Sequence, residues 1–120
     1  MEAAQKEKIK SYAMSLGIDD IGFASVADYQ SPQSPKIESI FPQAKSMVVA
    51  CIREMSHVES PNPQIAMNGR LDIMEHARSI NYKISRFLEK ECGARAMSVP
   101  LSYPLDLTPQ NSRSVADVSL

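Results

Sequence analysis

One stretch of the chain, Ser60 to Cys92, constrains the fold more than any other. From about Gly69 to Glu91, apolar residues recur at the three- and four-residue spacing that lines one face of a helix. Gly93 follows, and glycine readily takes the left-handed conformation that ends helices. The sequence therefore predicts a long amphipathic helix, roughly 34 Å in length, with an apolar stripe made of Ile73, Ala77, Ile80, Ile84, Phe87 and Leu88.

The segment just before this helix, 61–70, is rich in Pro, Asn, Gln, Met, Gly and Arg, which a packing helix does not need. Either Asn62, with Pro63 at the first helical position, or Asn68 could cap the helix. Arg70 near the helix start could hold an anion together with free backbone N–H groups. The alternative is a capped helix terminus with a surface arginine. The candidate cofactor-binding residues are Asn62, Gln64, Met67, Asn68 and Arg70.

A shorter helix is predicted near the N-terminus, over 5–16. Its apolar residues recur at positions i, i+3, i+4 and i+7, which share one helical face. Gly17 provides a C-cap, and Ile18 could close over the last turn. The apolar face of this helix consists of Ile9, Tyr12, Ala13 and Leu16.

Three strands are predicted, at Ile21–Val26, Ser46–Ile52 and Ala94–Val99. The second is a continuous apolar run, as expected when both faces of a sheet are covered. A proline-rich connection over 28–44 separates the first two strands, with a helical turn possible at Lys36–Phe41. The element order α-β-β-α-β predicts an α/β fold, in which two main helices pack on a three-stranded or slightly larger sheet.

Size and charge limit the possible functions. The chain has 120 residues, 43% of them hydrophobic, and a net charge of −1. We expect one α/β domain over 1–105, followed by a polar tail or the truncated start of a further element over 106–120. No long Lys/Arg cluster, membrane-length apolar run or signal core is present, which argues against nucleic-acid and membrane binding and predicts a cytoplasmic protein.

Metal binding and common catalytic motifs find no support in the spacing of the residues. The two histidines, His57 and His76, form no zinc motif with the two cysteines, Cys51 and Cys92. We expect reduced structural thiols, the alternative being a disulfide or a shared metal site. Gly-x-Ser-x-Gly and a phosphate loop are both absent.

Three stretches carry a family resemblance: 16–24 (LGIDDIGFA), 40–49 (IFPQAKSMVV), and 81–89 (NYKISRFLE) with Gly93-Ala94. Together they resemble the N-terminal part of the epoxyqueuosine reductase-like proteins, relatives of corrinoid iron–sulfur reductases and reductive dehalogenases. The resemblance implies that the full family member binds a cobalamin in an α/β domain. It also implies a downstream ferredoxin-like part, whose two four-iron four-sulfur clusters supply electrons.

The chain departs from this family in one decisive respect. It has no Cys-x-x-Cys-x-x-Cys run, so it cannot ligate those clusters. The resemblance thus implies an N-terminal module that is inactive alone and has no complete active site. It places Asp117 near the region of the family's active-site acid. Tyr103 is a second catalytic candidate, as a proton donor, the alternative being a packing residue with a bonded hydroxyl.

The expected partners follow from this interpretation. They are a missing C-terminal iron–sulfur domain or a second copy of the chain, and the only nucleic acid expected is a tRNA-type substrate of the family. Two other functions remain open. The chain could be a non-enzymatic interaction or self-association module, because an unfinished sheet leaves an edge that needs cover. It could also be a small-ligand-binding domain that uses the Asn/Arg junction at 62–70.

Overall fold

The computed structural model of the protein describes residues 1–30, 32 and 36–99. The described residues divide into two units: Met1–Phe23 with Val48–Ser98 belong to one, and the described part of 24–47 belongs to the other. The predicted tail at 106–120 and the catalytic candidates Tyr103 and Asp117 lie outside the described residues. The expectation of a single domain over 1–105 stays a prediction.

The first helix, α1, spans Ala3–Ser15, close to the predicted 5–16. Ile9 and Ala13 are fully buried, as their helical spacing predicts. Gly17 follows with φ of 88°, the left-handed conformation that releases the chain from the helix. Ile18 is buried in the same core cluster, which confirms that it closes over the end of the helix.

Two strands, β1 (Asp20–Ser25) and β2 (Ser46–Cys51), form the sheet. They are antiparallel: the N–H of Asp19 donates to the carbonyl of Cys51 at 2.9 Å, and that of Val26 to the carbonyl of Lys45 at 3.0 Å. Both strands lie where the sequence places them.

The predicted third strand is not confirmed in the described residues, and the predicted cover on both faces of the sheet is wrong there. Val49 in β2 is 52% exposed, so the apolar run of β2 is not covered on both faces. Residues 94–99 have no regular secondary structure. An apolar run can be sheet-like without finding a partner strand, because pairing depends on what the rest of the chain brings beside it.

The described parts of the connections contain three short 3-10 turns, at Val26–Asp28, Ile37–Ser39 and Ser56–Glu59. The second confirms the helical turn predicted within Lys36–Phe41. The third, which we call the 56–59 turn, packs on the long helix and was not predicted. No helix in the described residues is long and apolar enough to cross a bilayer.

The long helix, α2, spans Pro63–Glu91. It ends at Gly93, with φ of 64°, and the N–H of Ala94 donates to the carbonyl of Leu88 at 3.2 Å. Its 29 residues give a length of about 44 Å, longer than predicted because it begins at Pro63 and not near Gly69. We call 63–77 its N-terminal half and 78–91 its C-terminal half.

The core lies where the C-terminal half of α2 meets α1 and β1. Ile80 and Ile84 are buried there, whereas Ile73 and Ala77 are only half-buried and lie outside the core cluster. The predicted stripe is therefore a core stripe only in part. The stripe is only partly buried because α1 is short. It has 13 residues, about 20 Å, and cannot cover a helix twice its length. The buried core consists of Ile9, Ala13, Ile18, Ile21, Ile80 and Ile84.

Candidate functional site

Asn62 is the N-cap of α2, which decides between the two predicted caps. Its side-chain oxygen accepts from the backbone N–H of Gln64 at 2.9 Å and of Ile65 at 3.3 Å. Pro63 takes the first helical position, where no N–H is needed. The Ser60 hydroxyl accepts from the N–H of Asn62 at 3.1 Å and holds the approach to the helix. The amide oxygen of Asn62 is thus occupied by the helix itself.

This cap changes the position of Arg70. The predicted anion site needs Arg70 beside free N–H groups at a helix terminus, but α2 begins seven positions earlier, at Pro63. Backbone N–H groups at that depth donate to carbonyls four residues before them. The free-N–H geometry predicted for Arg70 is therefore wrong, since the alternative cap at Asn68 is not used. Arg70 remains an exposed cation on a helix.

Three of the candidate binding residues share one exposed face of α2. Gln64, Met67 and Asn68 are spaced i, i+3 and i+4, and Leu71 extends the same row at i+7. All four are exposed, and Met67 and Leu71 are each 48% exposed. Arg70 lies roughly a third of a turn away from the centre of this row. We call Gln64, Met67, Asn68 and Leu71 the 64–71 face.

The opposite side of the same segment makes a close contact that the sequence argument missed. Gly69 is buried, and a Cβ atom at this position would overlap the His57 ring, at 2.7 Å from Nε2, and approach Cγ1 of Val58 at 3.0 Å. Glycine in a helix costs about 1 kcal/mol relative to alanine. A glycine inside a helical pattern was the available signal, because it commonly marks a close approach.

The contact at Gly69 also brings His57 beside Asp72. The distance from Nε2 of His57 to Oδ2 of Asp72 is 3.8 Å, with side chains 34% and 73% exposed. The pair joins the 56–59 turn to the second and third turns of α2. Because both side chains are partly or largely exposed, this ion pair is a weak contact.

The 64–71 face can recognise a partner but cannot enclose a cofactor. Amide groups of Gln64 and Asn68 can donate and accept hydrogen bonds, and the thioether of Met67 adapts to irregular apolar surfaces. Two cavities in the described residues, of about 720 and 350 Å³, lie instead between the α1 region and the C-terminal part of α2 with the adjoining Cys92. A cobalamin would thus need further protein to surround it.

Metal-binding groups are not assembled in the described part of the chain. No three His, Cys, Asp or Glu side chains there come together as a metal site. Cys51 and Cys92 are both free thiols, as expected, but Cys51 is exposed and does not pack as a buried structural residue.

The candidate site is therefore an exposed helical surface. Asn62 caps the helix, His57 packs against Gly69 on the opposite side, and the 64–71 face is open to solvent. It presents amide and apolar groups together, without a nucleophile and base in hydrogen-bond reach. No protein-family model, curated protein or solved structure matches the chain.

Proposed function

We propose that the chain is the N-terminal module of a cobalamin- and iron–sulfur-dependent reductase related to the epoxyqueuosine reductase-like proteins. Alone it is inactive, and it supplies one wall of a pocket that the rest of the enzyme completes. In this proposal cobalamin and the two four-iron four-sulfur clusters belong to the complete cytoplasmic enzyme, and this chain ligates neither cluster.

The distribution of the resembling stretches supports the proposal. The first, 16–24, follows α1 and covers most of β1, the second, 40–49, leads into β2 and covers its first four residues, and the third lies in the C-terminal half of α2. They coincide with the scaffold of the molecule, whereas the exposed start of α2 lies outside all three. A scaffold shared with a family and a variable recognition segment is the usual arrangement when related enzymes differ in ligand.

The single observation that carries the proposal is the exposure of the 64–71 face. Met67 and Leu71 stand half-exposed beside the amides of Gln64 and Asn68, on a helix whose other side is held by the 56–59 turn. Apolar side chains rimmed by polar groups are typical of binding surfaces. In the complete enzyme, we expect residues 94–99 to pair as the third strand and the 64–71 face to be covered.

Two experiments test this proposal. The DNA immediately after the Leu120 codon should continue as an open reading frame with two four-cysteine runs, and a stop codon there would count heavily against it. The protein encoded by the complete frame should shift the absorption spectrum of added cob(II)alamin. Met67→Lys should weaken that shift, while His76→Lys, which places the same charge at an exposed position on the other side of α2, should leave it unchanged. An unshifted spectrum with the intact protein would refute the cofactor assignment.

A second candidate function, self-association, is favoured by the same exposed apolar residues. Met55 is 60% exposed and Ile65 46% exposed, which adds to the apolar area that a second copy could cover. Light scattering of the 120-residue chain distinguishes the two. A dimer dispersed by Leu71→Lys supports self-association, and a well-folded monomer at high concentration argues against it.

A further inference from the structure

A second surface of the molecule, remote from the 64–71 face, has the properties of a ligand site. It is a cavity of about 350 Å³ between α1 and the C-terminal half of α2, which we call the 83–90 groove. This volume lies at the small end of the range for small-molecule sites. The residues that line it are Tyr12, Lys83, Arg86, Phe87, Lys90 and Glu91.

Positive charge is concentrated along one side of the groove. Lys83, Arg86 and Lys90 are spaced i, i+3 and i+7, so they share one face of α2. The carboxylate in the lining, Glu91, is already engaged by Lys8, with Nζ at 3.8 Å from its Oε2 and 3.1 Å from its backbone carbonyl. Three cations thus face the groove in a chain whose net charge is −1.

The helix dipole does not account for this arrangement. Cations stabilise a helix C-terminus, but the effect is confined to the last turn, which here contains Lys90. Arg86 and Lys83 lie about one and two turns earlier, where they gain nothing from the dipole. The helix terminus therefore explains Lys90 alone, although all three cations line the groove.

Arg86 is held in position before any ligand arrives. Its Nη1 donates to the Tyr82 hydroxyl at 3.0 Å, and its guanidinium lies 5.8 Å from the centre of the Tyr82 ring. The hydrogen bond to Tyr82 raises the pKa of Arg86, with Glu89 contributing in the same direction. An arginine guanidinium is charged at every physiological pH, and its planar donors suit the oxygens of a phosphate.

Two aromatic rings also line the groove, Tyr12 from α1 and Phe87 from α2. Tyr12 and Phe87 stack with ring centres 4.3 Å apart and planes 8° from parallel, and both are half-buried. Lys8 lies 6.0 Å from the Phe87 ring centre. A flat aromatic surface beside a row of cations is the combination that stacks a base and neutralises its phosphates.

From this juxtaposition we propose that the 83–90 groove binds a nucleoside phosphate. Lys83, Arg86 and Lys90 contact the phosphates, and the base packs against the aromatic pair of Tyr12 and Phe87. This site is independent of the proposed reductase function, because it uses neither the 64–71 face nor any cluster or cobalamin. If the groove does not bind a nucleoside phosphate, the proposed reductase function is unaffected. If the reductase function is refuted, the groove proposal is likewise unaffected.

The experiment is a titration of the 120-residue chain with ADP at low ionic strength, followed by calorimetry and by backbone amide shifts. ADP should bind saturably and shift the amides of 82–90. Lys83→Gln combined with Lys90→Gln should weaken binding at least about tenfold, as expected when hydrogen bonds to charged groups are lost. The control removes two exposed cations elsewhere, Lys10→Gln with Arg78→Gln, and should leave the affinity unchanged.

Pyrophosphate and adenosine separate the contribution of the phosphates to binding from that of the base. Pyrophosphate should bind more weakly than ADP, and adenosine should bind more weakly still. Tyr12→Leu, which keeps an apolar contact with Phe87, should weaken ADP binding and leave pyrophosphate binding unchanged. Equal affinity of the groove variant and its control overturns the proposal. Equal affinity for ADP and pyrophosphate overturns the assignment of the base, as does a Tyr12→Leu chain that binds ADP normally.

Discussion

The two halves of α2 carry the same apolar periodicity but differ in what covers it. In the C-terminal half, Ile80 and Ile84 are 2% and 6% exposed, against α1. In the N-terminal half only Gly69 is buried, and Ile65, Met67 and Leu71 are all nearly half-exposed. The comparison shows that a helical stripe predicts which side chains share a face. How much of that face becomes core depends on the length of the neighbouring helix.

The largest expected effect distinguishes the halves directly. Ile80→Ala should lower the free energy of unfolding by about 2–5 kcal/mol, because it removes a buried side chain and leaves a cavity. The matched variant in the N-terminal half, Leu71→Ala, should change it by less than about 0.5 kcal/mol, as is usual for an exposed position. Urea unfolding followed by circular dichroism measures both. Similar losses for the two variants would mean that the halves are equally packed.

The next effect concerns the one buried position in the N-terminal half. Gly69→Ala should destabilise the protein by about 1 kcal/mol, since the new methyl group must displace the partly exposed His57 ring and approaches Cγ1 of Val58 at 3.0 Å. In an open helix the same change would stabilise it by about 1 kcal/mol, so the sign alone is informative. Thermal unfolding gives that sign. Adding His57→Ala should recover much of the loss, because the two side chains share one space.

An effect of similar size is expected at the start of α2. Asn62→Ala should cost about 1 kcal/mol through loss of the cap to Gln64 and Ile65. Asn68→Ala serves as the control, because Asn68 lies inside the helix and should tolerate the change within about 0.5 kcal/mol. The two variants can be compared by their urea midpoints. A larger loss at Asn68 would indicate that the helix begins near Gly69, as the sequence first suggested.

The smallest effects should be equal in the two halves. Asp72→Asn removes the partner of His57, and Glu91→Gln removes that of Lys8. Both ion pairs are long and exposed, so each change should stay within about 0.5 kcal/mol. If either variant shifts the unfolding midpoint strongly, ion pairs and not apolar burial would account for the difference between the halves.

Local signals predicted the packed part of the fold well. Three features were predicted from short stretches of sequence: the burial of Ile9 and Ala13, the glycine that ends α1, and the strand β2. Each depends only on neighbouring residues or on one face of a helix or strand. Gly93 was correctly predicted to end α2 for the same reason. These features depend on backbone geometry and side-chain period, both of which can be read from a short window.

The remaining features depend on distant contacts. Asn62 and Asn68 were equally good caps by residue type. The structure uses Asn62, so that α2 begins at Pro63, and the 56–59 turn then packs against Gly69 inside the helix. The strand predicted at 94–99 requires a partner that the described residues do not provide. Within the candidate site, the sequence indicated Gln64, Met67 and Asn68 as binding candidates. It did not show that Arg70 lies away from their row on the helix, or that His57 contacts Gly69.

The central claim, that only half of α2 is packed into the core, is tested most directly by backbone amide hydrogen exchange measured by NMR on the 120-residue chain. Exchange reports the local free energy of opening at each amide. Amides over 80–88 should be the most protected in the helix, and those over 66–74 should exchange markedly faster. Uniform protection along α2, or stronger protection in its N-terminal half, would contradict the account.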